Sequence, residues 1–316
     1  MGKGKHRKII KEKEVFMKQR KHKVLDHPIL GYFILMIFAL VFTVLGSPLD
    51  SLLARIIPGL GMSVETVSGT AVSASAAGVA ISSLLALLVF KLWFRPDFSG
   101  CISGDYIVQG ILIMLPALLV HYVGSVVSWI TFGTGSVLVA FLRALAPGVS
   151  EEVTFRGLGV ANYMRTIRDA DRIPVIFWLS SIVFGLSHLG NIAAGGDVFS
   201  VIVQSVYAIG IGMLFAAVYL RTGNLLVTIL AHTSVDFLEL IRADLSGTGG
   251  VMTSTGVGDW ITIAAGAIAA AIGLRAIAKK HYPEIMKIWN AKWNRAEQVP
   301  EADGSASPSD ADHSVS

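Results

Sequence analysis

Long apolar stretches recur along this chain, at about residues 29–46, 71–93, 107–131, 136–158, 174–190, 198–220, 223–241 and 260–278. Each is roughly 17–25 residues long, the length a helix needs to cross a hydrocarbon layer ~30 Å thick. Lipid offers no hydrogen bonds to the backbone, so a stretch of this kind satisfies its own peptide groups as a helix. The 316 residues are 53% hydrophobic and only 15% charged, more apolar surface than a soluble core can hide. The expected fold is therefore all-α, a polytopic membrane bundle of about eight transmembrane helices.

Loop charges orient the bundle. Residues 1–28 are dense in lysine and arginine and directly precede the first apolar stretch. That placement reads as the cytoplasmic side, in contact with anionic lipid rather than nucleic acid. No small-residue cleavage site follows, so the first stretch reads as an uncleaved helix. Lys91, Arg95, Arg165, Arg168, Arg172, Arg221, Arg275, Lys279 and Lys280 then fall on the same side, whereas the opposite loops carry only Arg55 and Arg242. Both termini are expected to be cytoplasmic, in a multi-pass protein of the cytoplasmic membrane.

Composition divides the rest. A basic arm (1–28) leads into N-terminal transmembrane helices (29–104) and a polar-bearing transmembrane core (105–278). The 47–70 loop has room for a short interfacial helix, and the 244–258 loop is rich in Gly, Ser and Thr. Residues 279–298 place Ile285, Ile288, Trp289 and Trp293 among Lys287, Lys292 and Arg295, the pattern of an amphipathic helix with tryptophans at headgroup level. Residues 299–316 have no apolar period and read as disordered. The single cysteine, Cys101, excludes an intramolecular disulfide framework and a cysteine-based zinc site.

Chemistry concentrates where the apolar stretches are interrupted. In Ser150-Glu151-Glu152-Val153-Thr154-Phe155-Arg156-Gly157, Glu152 and Arg156 stand four apart and share a helix face, a natural ion pair. Glu151 points about 100° away and is left without that partner. His188 closes the fifth stretch, with Asn191 three residues on, and His232 and Asp236 stand four apart in the seventh. A lone membrane histidine is often a helix–helix hydrogen bonder. Several costly polar groups are more economically placed in one shared cavity than in separate sites. Carboxylates and histidines in such a cavity can activate water, stabilise an oxyanion or bind a divalent metal. There is no His-Glu-x-x-His, no Gly-x-Ser-x-Gly and no Walker A motif.

Glu151-Glu152-x-x-x-Arg156, Phe184-x-x-x-His188 and His232-x-x-x-Asp236, in this order on successive helices, resemble the three motifs of the CPBP (CAAX protease and bacteriocin-processing, or Abi) intramembrane proteases, which include the type II CAAX prenyl endopeptidases. The resemblance spans about residues 105–245. It implies that Glu151 is the general base activating the attacking water and that His188 positions that water. His232 and Asp236 would lie on the oxyanion or metal-facing side, and Glu152 and Arg156 would be a structural ion pair. It also implies a membrane-associated peptide or protein substrate, CAAX-type or bacteriocin-like. For the cofactor it implies a choice between a divalent metal such as zinc and glutamate-activated water without a tightly bound metal.

One position departs from the family pattern. The third motif commonly ends in Asn, which can donate to an oxyanion, whereas ionised Asp236 only accepts. The alternative is a non-catalytic member acting as a membrane immunity or scaffold protein, for which Asp236 is the best support. A transporter with an intramembrane proton or ion site is a third reading, without a visible broken-helix repeat.

Overall fold

The computed structural model describes residues 24–56, 66–67, 70–71, 77–94, 104–134, 137–193, 195–241, 257–293 and 295. The basic arm up to residue 23, Cys101, most of the 244–258 loop and the 299–316 tail lie outside the described residues. The elements are α1 (Pro28–Ile56), α2 (Ala77–Phe94), α3 (Gly104–Phe132), α4 (Val137–Glu152), a π-helical stretch (Val153–Val160), α5 (Ala161–Thr166), α6 (Ile173–Ser187), a 3-10 turn (His188–Ile192), α7 (Val198–Thr222), α8 (Leu225–Leu240), α9 (Val257–Ala276) and α10 (Tyr282–Lys292). Between α1 and α2, β1 (Thr66–Val67) and β2 (Thr70–Ala71) pair antiparallel, Thr66 with Ala71 and Val67 with Thr70.

Helix occupies most of each expected apolar stretch. Among the described residues, four helical segments can cross a membrane by length and composition: Pro28–Gly46, Tyr106–Val127, Ala170–Ile192 and Val198–Thr222. Gly78–Phe94 and Ile263–Ala276 are shorter apolar helices. The two remaining positions are α4 and α8, where the motif residues interrupt the apolar run. The first helix continues to Ile56, so the start of the expected 47–70 loop is helical. These helices make the chain a membrane protein.

Helix α7 is the centre of the bundle. Seventy-two per cent of its span is buried, against 28–39% for the other three long spans. It packs against α6, α9 and α3, and its C-terminus turns tightly into α8. The turn depends on Gly223, whose φ of +62° is a left-handed conformation that costs glycine nothing. Its N–H donates to Tyr219 O at 2.7 Å, and the Asn224 side chain accepts from Val227 N to cap α8.

One end of the bundle gathers the segments carrying the basic loops. Arg165 pairs with Asp26 at 2.8 Å and donates to Leu25 O, tying α5 to the start of α1. Arg221 pairs with Glu284 at 2.8 Å and donates to Ala276 O, joining α7, α9 and α10. Arg295 donates to Ile167 O and Met164 O.

The tryptophans of the last helix are covered by protein rather than exposed to a surrounding lipid layer. Trp289 and Trp293 are buried with Ile285 in the same core as Tyr219 and Leu220. The indole N–H of Trp289 donates to Leu220 O at 3.0 Å. The apolar face of α10 finds protein to cover it, and the last turn of α7 supplies a carbonyl that its own helix leaves unpaired.

Candidate active site

Helix rise sets the depth of the polar residues. Counted from the end of the bundle where residues 162, 173, 222 and 224 lie, Glu152, Phe184, Gly212 and His232 are each about 12–17 Å in, at ~1.5 Å per residue. By the same measure Asp236, Tyr207 and His188 are about 18–22 Å in. Both layers lie well inside the bundle, about half the ~30 Å thickness of a hydrocarbon core or somewhat more from that end.

The inner layer is closed. Glu152 and Arg156 are 0% exposed and pair at 2.8 Å, Arg156 Nη1 donating to Glu152 Oε1. Arg156 Nη2 donates to Gly212 O at 3.0 Å. The guanidinium lies over the Phe184 ring, 4.4 Å from its centroid, a cation–π contact in an apolar surrounding. The same Glu152 oxygen is 3.1 Å from His232 Nδ1. Because an ionised carboxylate only accepts, Nδ1 carries the proton and donates, which fixes the tautomer. Phe184 and Phe215 pack on the imidazole with centroids 5.7 and 5.4 Å away. The expected ion pair is present, and it also anchors His232.

With Nδ1 held, His232 Nε2 faces the outer layer. Asp236 Oδ2 is 3.5 Å from it and Glu151 Oε2 is 3.9 Å away. Side-chain exposure separates the two glutamates: Glu151 is 31% and Asp236 28% exposed, whereas Glu152 is sealed. The structure thus brings Glu151, Glu152, His232 and Asp236 around one imidazole. His188 joins through Phe184: its ring packs on that phenyl at 5.2 Å, and its Nδ1 donates to Phe184 O at 3.0 Å. Asn191 stands apart and donates to Gln204 Oε1 at 2.9 Å, tying the 3-10 turn to α7.

Two local features align these groups. Gly148 of α4 faces Thr233 of α8 so closely that an added Cβ would lie 2.9 Å from Thr233 Cα. Only a residue without a side chain lets the helix with the glutamates approach the helix with His232 and Asp236. Directly after Glu152 the chain is π-helical for eight residues, and the Ala161 N–H donates to Arg156 O five residues back. A widened turn re-aims side chains and is frequent at functional sites. Thr154 Oγ1 donates to Ser150 O at 2.7 Å on the way into it.

As arranged, the donors do not fit a metal ion. Among the described residues no group of three or more His, Cys, Asp or Glu side chains is placed to hold one. Glu152 and His232 Nδ1 are committed to each other and to Arg156. Sequence reasoning also missed Gly212, whose carbonyl holds Arg156, and Phe215, which supports His232. Nothing in the local pattern marks either one.

The family model described as Rce1-like, a type II CAAX prenyl endopeptidase, matches residues 133–238. Over these residues, about a third of its length, the chain is similar to this family of CAAX-type proteases. The match starts just before α4 and ends two residues after Asp236, so it contains all three motifs. No curated protein and no solved structure matches the chain.

Proposed function

We propose that the chain is an intramembrane endopeptidase that hydrolyses a peptide bond of a membrane-associated peptide or protein. The observation that carries this reading is the contrast around His232: one ring nitrogen is locked by the sealed Glu152–Arg156 pair, and the other faces the half-open Glu151 and Asp236. Glu151 takes a proton from water as that water adds to the carbonyl carbon. It then returns the proton to the nitrogen that leaves as the amide C–N bond breaks. His188 positions the water. His232 and Asp236 lie on the side where the carbonyl oxygen gains charge. Glu152 and Arg156 keep the helix and His232 in place. No step runs through a metal.

The family match over residues 133–238 supports a CAAX-type substrate, and bacteriocin-like membrane peptides are the other class this reading admits. In the same reading residues 105–278 form the catalytic core, the bundle crosses the cytoplasmic membrane about eight times, and both termini face the cytoplasm. The test is hydrolysis of farnesylated CAAX peptides and of unmodified hydrophobic peptides by the purified protein and by Glu151→Gln. The wild type cleaves, and the variant is slower by about 10²–10⁴-fold, the usual contribution of a positioned base. Metal analysis of the same preparations decides between the metal-bound and the glutamate-activated mechanism. Equal rates for the two proteins would remove Glu151 from the chemistry.

A further inference from the structure

A second set of polar side chains lies beside the site and is not used by the mechanism above. On α3, His121 and Ser125 are buried and turn toward Glu239 of α8. His121 Nε2 is 3.5 Å from Glu239 Oε1, and Ser125 Oγ donates to that oxygen at 3.4 Å. The His121 ring stacks on Tyr207 of α7, with centroids 6.2 Å apart and planes 18° from parallel. The Tyr207 hydroxyl is shielded from solvent and has no hydrogen-bond partner among the described residues. It is within electrostatic reach of both Asp236 and Glu239. Helix rise puts Tyr207 at the depth of Asp236 and His188, about 18–22 Å from the end that carries the basic loops.

The outer layer is crowded with acceptors. Glu151, Asp236 and Glu239 all stand there, with side chains 31, 28 and 33% exposed, and ionised carboxylates only accept. Hydrolysis of an amide puts negative charge on its carbonyl oxygen, and that charge is stabilised by donors held ready in a dry site. A buried hydroxyl without a partner is costly to a fold and calls for an explanation. We infer that Tyr207 is a further catalytic residue, its hydroxyl being the donor that receives the carbonyl oxygen of the scissile amide. When water adds to the carbonyl carbon, its proton goes to Glu151 and the C=O electron pair moves to the oxygen facing Tyr207. The phenol keeps its own proton and donates a hydrogen bond, with His121 fixing the plane of its ring. The inference rests on the hydrolytic reading of the site.

Tyr207→Phe removes one oxygen and keeps the ring against His121. The probe is a hydrophobic peptide carrying a phosphinate in place of one amide, a stable tetrahedral anion. Its affinity for the purified full-length protein is compared with that of the parent amide peptide. The phosphinate is expected to bind Tyr207→Phe at least about tenfold more weakly than wild type, a modest share of what one oxyanion donor contributes. The parent peptide is expected to bind both alike, which a merely structural defect would not give. Equal phosphinate affinity for the two proteins, or none for the wild type, overturns the assignment. This comparison needs no turnover, so it is separable from the role of Glu151. If Glu151→Gln still hydrolyses peptide, the base is wrong while the phosphinate comparison still judges Tyr207.

Discussion

Two regions of this molecule hold charge in opposite ways. At the end of the bundle that carries the basic loops, Arg165, Arg221 and Arg295 reach carboxylates and helix-terminal carbonyls at the rim, where their partners Asp26 and Glu284 are 36 and 45% exposed. In the middle of the bundle, Glu152 and Arg156 are fully sealed and are held by an aromatic ring, a backbone carbonyl and an imidazole. Rim pairs join helix ends and can be replaced by water. The central pair has no such substitute, because an uncompensated charge at that depth has nowhere to go. A polar group so placed, and held from several sides, is scaffold. Its neighbour Glu151, one residue away and half-open, is where chemistry is available.

The largest break in this comparison is Arg156→Leu. It strands Glu152 in the interior and should cost about 3–5 kcal/mol, the usual result of removing one partner of a buried pair. The check is thermal unfolding of the purified protein together with its yield in the membrane. Pairing it with Glu152→Leu removes both charges, and recovery of stability would show that the penalty belongs to the stranded carboxylate. Next is Gly148→Val, which drives two methyl groups into the Thr233 backbone and should cost about 1–3 kcal/mol through overpacking. Because it separates α4 from α8, peptide hydrolysis should fall more steeply than stability. The smallest effect belongs to the rim. Glu284→Gln breaks the Arg221 pair yet should change stability by less than about 1 kcal/mol, the range for exposed ion pairs. A loss comparable to that of Arg156→Leu would erase the distinction between the two regions.

The sequence made the bundle and much of the site legible for physical reasons that differ by residue. Apolar length places helices, so helix falls in each expected stretch, while among the described residues four helices are long and apolar enough to cross a membrane. Four-residue spacing pairs Glu152 with Arg156 and His232 with Asp236 whatever the rest of the chain does. Contacts between helices leave no such trace. That Glu152 also holds His232, eighty residues away, depends on how closely α4 and α8 pack at Gly148. The π-helical stretch was not legible, because no local pattern marks a shift from four-residue to five-residue hydrogen bonding. Trp289 and Trp293 read as interfacial because amphipathic periodicity does not say whether lipid or protein covers the apolar face. Glu239 stands three residues after Asp236 and could have been read from the same periodicity, whereas His121 and Tyr207 are single polar residues on apolar helices and acquire meaning only once those helices pack.

The most direct test of the account is hydrolysis of a farnesylated CAAX peptide and of unmodified hydrophobic peptides by wild type and Glu151→Gln, with thermal unfolding measured on the same preparations. The account predicts an unfolding temperature within a degree or two, as expected for a half-open residue outside the sealed pair, and a loss of hydrolysis of about 10²–10⁴-fold. A variant that cleaves as fast as wild type would contradict it, as would one that fails to fold, since Glu151 would then belong to the scaffold with Glu152.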